Sequence, residues 1–354
     1  MVKNVYTYLE SIAKDIKLHE GYHGIKRVLV ELYREGKSSV QDVAFKTKFA
    51  PPIISLLFDK LASDGIIHRD RSGVKFTLKG MKFVERELYI RSLPIQNCIN
   101  CEGKQIAIDA GGAHSHLFSE LEQICQQRPS ADVQLDQAKC TPETMLRRLL
   151  FLHKEHAFDG TSILFLGDDD FMSVASQTPA FTNDYFVSPN LGKDTPPFKI
   201  TVMDVDDRIL FKIQEMAQEL GRDEVLTVNY DVRNPFPTNF INSFDIVFLD
   251  PPYTYNGVKL FLSRAINGLK DDLGAKIFLS LGHMCSKDLQ KIQEHITHAG
   301  FYISAAIPAF NTYEGGNIIG NISQFWVLTL ASQKKFIISP NIAFEENFYT
   351  QINC

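Results

Sequence analysis

The residues Asp250-Pro251-Pro252-Tyr253 follow an apolar run and have the side chains needed to position an amine for attack. A carboxylate and a proline carbonyl accept hydrogen bonds from an amine, which aims the nitrogen lone pair at an electrophilic carbon, while the proline rings stiffen the loop. A tyrosine ring stabilises the positive charge that develops on the nitrogen. We therefore predict that Asp250, Pro251 and Tyr253 are catalytic residues that act on an amino nitrogen.

A second acidic turn, Gly167-Asp168-Asp169-Asp170, follows another apolar run. Nucleotide-binding folds place glycines at this turn because backbone N–H groups must approach a phosphate. Three adjacent carboxylates repel phosphate and attract a cation, so NAD and ATP are disfavoured and a sulfonium nucleoside is favoured. We predict that Asp169 and Asp170 bind the acceptor amine or take its proton.

The donor-binding residues are expected at the ends of neighbouring predicted strands. Asp204 ends the next apolar run and Asp231 the one after it. In related folds an acid at the first of these positions binds ribose hydroxyls, and an acid at the second suits an adenine amino group. Gly167 completes the predicted donor site, and Asp168 is a candidate partner for an ammonium group of the donor. The alternative is structural, because acids that follow strands commonly cap helices.

Alternating apolar strands and amphipathic helices predict a Rossmann-like α/β domain over residues 161–330. The predicted strands lie in TSILFLGDDD, FKITVMDVDD, EVLTVNYDVRNPFP, SFDIVFLDPPYTY and AKIFLSLG, with a further one in QFWVLTL. The intervening segments LFKIQEMAQELG and VKLFLSRAINGL have helical spacing. Such a doubly wound sheet binds ligands at the carboxyl ends of its strands, where the acidic residues lie.

Residues 1–92 predict a winged-helix domain, with three amphipathic helices followed by a two-stranded hairpin that turns at residues 71–73. This fold serves either as a DNA reader or as a scaffold or dimerisation module. The third predicted helix is mostly apolar, which favours the second role. Residues 331–354 are predicted as a C-terminal tail.

Residues 93–160 are predicted as a segment that connects the two domains. Cys98 and Cys101 form a C-x-x-C pair, which is half of a zinc site. No second pair follows at suitable spacing, so the two cysteines are weak metal candidates and no metal is expected. Further along, a helix carries Arg147 and Arg148, which we expect at the surface.

The charge of the chain is unevenly distributed. Residues 1–92 carry 17 Lys and Arg against 11 Asp and Glu, a net charge of +6, and the rest carries 20 against 31, a net charge of −11. A nucleic-acid enzyme needs positive charge around its cleft, whereas carboxylates suit a polyamine. The charge thus favours aminopropyl transfer from decarboxylated S-adenosylmethionine over the alternative, an S-adenosylmethionine-dependent amino-methyltransferase that acts on nucleic acid.

The sequence also limits where the protein is expected to act. No apolar run reaches the roughly 18 residues that a membrane-spanning helix needs. The first residues lack the apolar run and cleavage site of a signal peptide. Six cysteines in 354 residues do not indicate a disulfide scaffold. A cytoplasmic protein without membrane partners is therefore expected.

The chain resembles the branched-chain polyamine synthases, also called N4-bis(aminopropyl)spermidine synthases. The matching stretches, in chain order, are LFLGDDDF, MDVDDRIL, YDVRNPFP, FLDPPYT and NTYEGGNIIGN. The resemblance implies successive aminopropyl transfers to the central nitrogen of spermidine, with 5′-methylthioadenosine as the leaving product, and a homodimer. It also implies a winged-helix-like domain, a Rossmann-like domain and a flexible C-terminal region. Direct displacement at a sulfonium carbon requires no metal.

Overall fold

The computed structural model describes residues 5–47, 49–71, 73–90, 101–185, 198–222, 225–314 and 321–350. The chain divides into two compact units, the first formed mainly by residues up to Asn97 and the second mainly by those that follow. None of the helices in these ranges is long and apolar enough to cross a membrane.

The described part of the first unit consists of helices and a two-stranded antiparallel hairpin. Its elements are α1 (Val5–Asp15), α2 (Gly21–Glu35), α3 (Val40–Thr47), α4 (Pro51–Ser63), β1 (Ile67–Asp70), β2 (Gly73–Phe76) and α5 (Leu78–Arg86). Residues such as Ile25, Leu29 and Leu32 recur at helical spacing and are fully buried, so one face of α2 lies in the core. The three predicted helices and the hairpin are present, while the winged-helix assignment stays a prediction.

A larger set of alternating helices and strands follows. These elements are α6 (Ser115–Gln127), α7 (Pro142–Lys154), β3 (Ser162–Leu166), α8 (Met172–Ala175), α9 (Pro179–Tyr185), β4 (Lys199–Asp204), α10 (Asp207–Glu219), β5 (Leu226–Asn229), β6 (Ile246–Leu249), α11 (Tyr255–Gly268), β7 (Lys276–Leu281), α12 (Ser286–His298), β8 (Phe301–Thr312) and β9 (Ile322–Leu330).

Seven of these strands form a mixed sheet in the order β5-β4-β3-β6-β7-β9-β8 within the described residues. The strands β3 to β7 run parallel, and the hairpin of β8 and β9 adds an antiparallel edge. The central strands β3, from Ile163 on, and β6 are continuous apolar runs that are fully buried, as is typical of parallel sheets. The predicted α/β architecture is confirmed. The sequence did not indicate β8, because an edge strand with small residues and Pro308 lacks a strong strand pattern.

The segment predicted as a connection contributes α6 and α7 to the core of the second unit. Helix α7 is buried on nearly every side. The expectation that Arg147 and Arg148 lie at the surface was therefore wrong, since they are only 6% and 0% exposed. An arginine pair inside the apolar run MLRRLLFL is buried here because its hydrogen-bond acceptors lie on neighbouring elements.

Phe151 of α7 anchors an aromatic cluster, with its ring 5.5 Å from that of Phe310 and 5.8 Å from that of Phe325. We expect Phe151→Ala to lower the free energy of unfolding by about 3–5 kcal/mol, because it leaves a cavity. Urea unfolding followed by the fluorescence of Trp326, the single tryptophan, measures the loss. The control Phe211→Ala removes a ring that is 72% exposed and should cost less than about 0.5 kcal/mol. Equal losses would contradict the packing described here.

Candidate active site

Three parallel strands, β3, β4 and β6, are each closed or followed by acidic residues, which lie together at the carboxyl ends of these strands. Because β3 lies between β4 and β6, the turn after β3 is flanked by Asp204 at the end of β4 and by Asp250 after β6. The Asp168 N–H donates to Asp204 Oδ2 at 3.1 Å. Gly167 has a φ of +78°, which a glycine adopts without strain and which turns the chain sharply after β3. The fold thus brings the predicted acidic turn close to Asp204 and Asp250.

The fully buried guanidinium of Arg148 joins two of the acids at this edge. Its Nη1 donates to Asp170 Oδ2 at 2.6 Å and its Nη2 to Asp250 Oδ2 at 2.7 Å, while Nε donates to Asn311 Oδ1 at 2.8 Å. Removing each ion from water costs several kcal/mol, and the planar fork of arginine suits simultaneous bonds to several acceptors. Arg148 therefore fixes the relative positions of the two carboxylates.

Both carboxylate oxygens of Asp170 have protein donors. Besides Arg148 at Oδ2, the Cys140 N–H donates to Oδ1 at 2.6 Å, and Arg128 Nη1 lies 3.4 Å from the same oxygen. The residue is 3% exposed. The sequence predicts that Asp170 touches the acceptor amine, but the fold commits its carboxylate to two buried arginines. This arrangement gives each carboxylate oxygen of Asp170 a protein donor, and its contact with the acceptor amine stays a prediction.

Asp169 is only partly buried, and its carboxylate accepts no hydrogen bond from the described residues. Burial raises the pKa of Asp169 well above its usual range, and the charges of Asp170, Asp250 and Asp204 raise it further. A cation beside Asp169 would relieve the repulsion between these carboxylates. Asp169 is therefore the member of the turn that is available to an amine.

Two tyrosine hydroxyls also donate hydrogen bonds to Asp250, one to each carboxylate oxygen. Tyr253 donates to Oδ1 at 2.7 Å and Tyr313 to Oδ2 at 2.6 Å, and the two hydroxyl oxygens lie 2.7 Å apart. Burial raises the pKa of both phenols, so they stay protonated donors. Gly282 leaves space for the ring of Tyr253, because a Cβ there would lie 2.0 Å from ring atom Cδ2. Sequence analysis missed Tyr313, although it lies in the NTYEGGN stretch.

Asp168 and Asp204 hold the acidic turn in shape. The carboxylate of Asp168 accepts hydrogen bonds from Met172 N at 2.8 Å and Ser173 N at 3.1 Å, at the start of α8. Burial raises the pKa of Asp168 to about 8 and that of Asp204 to about 6. Asp204 also accepts from Asp206 N at 2.9 Å. Asp168 is 2% exposed, which leaves little room for the predicted donor ammonium, and the capping alternative describes its contacts better.

The remaining predicted residues take no part in the hydrogen bonds of Arg148. Asp231 follows β5 and pairs with Arg233, whose Nη2 lies 2.5 Å from Oδ2. Burial raises the pKa of Asp231, but the hydrogen bonds from Arg233 outweigh it and lower the pKa. Pro251 is buried, and Cys101 is a free thiol. Cys98 lies outside the described residues, within which no group of three His, Cys, Asp or Glu side chains is arranged to hold a metal.

The mixed sheet and the carboxylates at the ends of its parallel strands define a Rossmann-like α/β enzyme with an acidic site. A family model described as the branched-chain polyamine synthase A C-terminal domain matches residues 116–353, about two thirds of the chain. The chain belongs to the branched-chain polyamine synthase family. This confirms the family that the sequence motifs indicate.

Similar proteins extend this assignment over most of the chain. An uncharacterized protein of Methanocaldococcus jannaschii is 32% identical over 342 residues, which cover 97% of this chain and 81% of the relative. The N(4)-bis(aminopropyl)spermidine synthase of Thermococcus kodakarensis is 29% identical over 264 residues, or 74% of this chain and 70% of the relative.

One solved structure shows the same fold. It is the branched-chain polyamine synthase from Thermus thermophilus, in complex with N4-aminopropylspermidine and 5′-methylthioadenosine. The two chains have a TM-score of 0.76 at 18% sequence identity, over 98% of this chain and 97% of the other.

We expect Arg148→Lys to lower the free energy of unfolding by about 3–5 kcal/mol, because a single ammonium nitrogen replaces the two guanidinium nitrogens that bond Asp170 and Asp250 and weakens the pairing of these buried carboxylates. The control Arg147→Lys loses one bond to the Phe310 carbonyl, at 3.0 Å, and should cost about 1 kcal/mol. Urea unfolding measures both losses. Combining Arg148→Met with Asp170→Asn should cost less than the sum of the two single changes, and strict additivity would argue against the ion pair.

Proposed function

We propose that the chain transfers aminopropyl groups from decarboxylated S-adenosylmethionine to the central nitrogen of spermidine, giving branched polyamines and 5′-methylthioadenosine. The observation that carries this proposal is the carboxylate of Asp169, which is accessible and lacks a protein donor among the described residues. Family membership and the name of the Thermococcus relative support the same reaction.

The acceptor has to be bound as a polycation while its reacting nitrogen is neutral. A free amine has a pKa of about 10 and is mostly protonated at pH 7. A site crowded with uncompensated carboxylates would hold that proton more tightly. Arg148 compensates Asp170 and Asp250, so Asp169 is the acid left to attract the acceptor. Its raised pKa suits it to take the proton from the reacting nitrogen.

The DPPY loop then orients the neutral amine. In this proposal Asp250 and the Pro251 carbonyl accept hydrogen bonds from the amine, and the ring of Tyr253 covers the positive charge that develops. The nitrogen lone pair forms a C–N bond to the methylene beside the sulfonium, and the C–S electron pair returns to sulfur. The thioether product is neutral, so no acid has to protonate the leaving group.

A second transfer to the same nitrogen follows a different proton balance. The first product is a tertiary amine, and its alkylation gives a quaternary ammonium without release of a proton. Asp169 and Tyr253 would then act only by stabilising charge. On the donor side we propose Gly167, Asp204 and Asp231 as binding residues, with Asp168 holding the turn rather than the donor ammonium.

Three further features remain proposals. The first unit is a winged-helix scaffold or dimerisation module, the enzyme is a homodimer, and its chemistry proceeds without a metal. The cytoplasmic location expected from the sequence stays a prediction. None of these features is needed for the proton and charge balance around Asp169.

The reaction is tested by mass spectrometry of the products formed from spermidine with either decarboxylated or intact S-adenosylmethionine. The proposal predicts products one or two aminopropyl units heavier than spermidine, formed only with the decarboxylated donor, and chromatography against linear standards should show them to be branched. Methyl transfer to nucleic acid from the intact donor, with no polyamine product, would overturn it.

We expect Asp169→Asn to lower kcat/KM for spermidine by about 10²–10⁴-fold while the fold persists. The wild-type kcat/KM should rise with pH as Asp169 and the amine lose their protons, and the part of this rise that belongs to Asp169 should vanish in the variant. Steady-state kinetics across pH measure both effects. The control Asp272→Asn changes an exposed acid and should leave the profile intact. Near-normal activity of Asp169→Asn would refute the assignment.

A further inference from the structure

The C-terminal tail is fastened to the second unit by specific bonds. The buried guanidinium of Arg264 on α11 donates through Nε to the Val232 carbonyl at 2.8 Å and through Nη2 to the Ile342 carbonyl at 2.7 Å. Two residues further on, Phe344 N donates to the Arg233 carbonyl at 2.8 Å. The tail is thereby held against the loop that follows β5 and carries Asp231.

The next residues of the tail are bonded to two further loops. The Thr254 hydroxyl, directly after the DPPY sequence, donates to the Phe348 carbonyl at 2.5 Å, and Asn256 Nδ2 donates to the Asn347 carbonyl at 3.1 Å. Thr350 N donates to Asp136 Oδ2 at 2.7 Å. Tyr349 therefore lies between one attachment after β6 and another at the segment between α6 and α7.

The second attachment lies next to the loop that follows β4. Gln137, the neighbour of Asp136, donates through Nε2 to Asp206 Oδ2 at 3.0 Å. In the sheet β3 separates β6 from β4. A chain segment that runs from the loop after β6 to the loop after β4 must pass the end of β3, where Gly167 begins the acidic turn. Tyr349 is placed on this crossing.

The surroundings of Tyr349 are those of the predicted nucleoside site. Burial, together with the charges of Asp231, Asp204 and Asp136, raises the pKa of its hydroxyl to about 12. The phenol is therefore neutral. Its ring lies 4.1 Å from that of Phe348, centroid to centroid, and Phe348 is itself only 2% exposed. The buried ring of Phe348 therefore limits the positions that the ring of Tyr349 can take.

We propose that Tyr349 is a donor-binding residue whose ring covers the nucleoside held between Asp204 and Asp231. This inference rests on the proposed function, which assigns those two acids to the ribose and the adenine. An aromatic ring placed over a purine stabilises it by stacking. In this proposal Tyr349 contributes to donor affinity rather than to binding of the acceptor.

Binding of 5′-methylthioadenosine tests this role without catalysis. Isothermal titration calorimetry on the full chain should show that Tyr349→Ala raises the Kd by about 10-fold or more, while Tyr349→Phe stays within about threefold because the ring remains. The control Tyr302→Ala removes a tyrosine of β8 that is 52% exposed and should bind like wild type. In steady-state assays Tyr349→Ala should raise KM for the donor and leave KM for spermidine unchanged.

The outcomes separate this inference from the proposed function. Equal Kd values for wild type and Tyr349→Ala would overturn the role of Tyr349 and leave the reaction standing, as would a change confined to KM for spermidine. A wild-type protein that does not bind 5′-methylthioadenosine would contradict the proposed function itself, and the inference would fall with it.

Discussion

A buried cation between two carboxylates governs the arrangement of the active site. The guanidinium of Arg148 can leave water only because Asp170 and Asp250 compensate its charge. The three residues come from α7, the turn after β3 and the loop after β6. Their ion pairs therefore connect three elements at the carboxyl ends of the parallel strands. Without Arg148, Asp250 would lose the basic side chain that pairs with it, and Asp170 would keep only Arg128, at 3.4 Å.

The same interaction controls the charge that a ligand meets. Asp168 and Asp204 accept backbone N–H groups, and Asp170 and Asp250 are paired with Arg148, which leaves Asp169. The second unit can therefore be strongly acidic overall while, among the described acids of this site, Asp169 is left without a protein donor. In the proposed reaction the overall charge draws a polycation to the site, whereas the local balance allows one of its nitrogens to become neutral.

The sequence predicts the sheet and its acidic edge because each strand is a continuous apolar run that ends in Asp. It does not predict the burial of Arg148, since the residues that compensate it are far away in the chain, 102 positions in the case of Asp250. Tyr313 was missed for the same reason. The contacts of Asp168 could not be predicted either, because only the structure shows that its carboxylate faces the first N–H groups of α8.

The most direct test of the account is the number of protons released when spermidine binds. Isothermal titration calorimetry in buffers of different ionisation enthalpy measures it at pH 7 for wild type and Asp169→Asn. The account predicts proton release by wild type, because a cation bound beside Asp169 opposes the raised pKa of that carboxyl and drives off its proton, and both weaker binding and a smaller release by the variant. Equal affinity and equal proton release in the two proteins would contradict it.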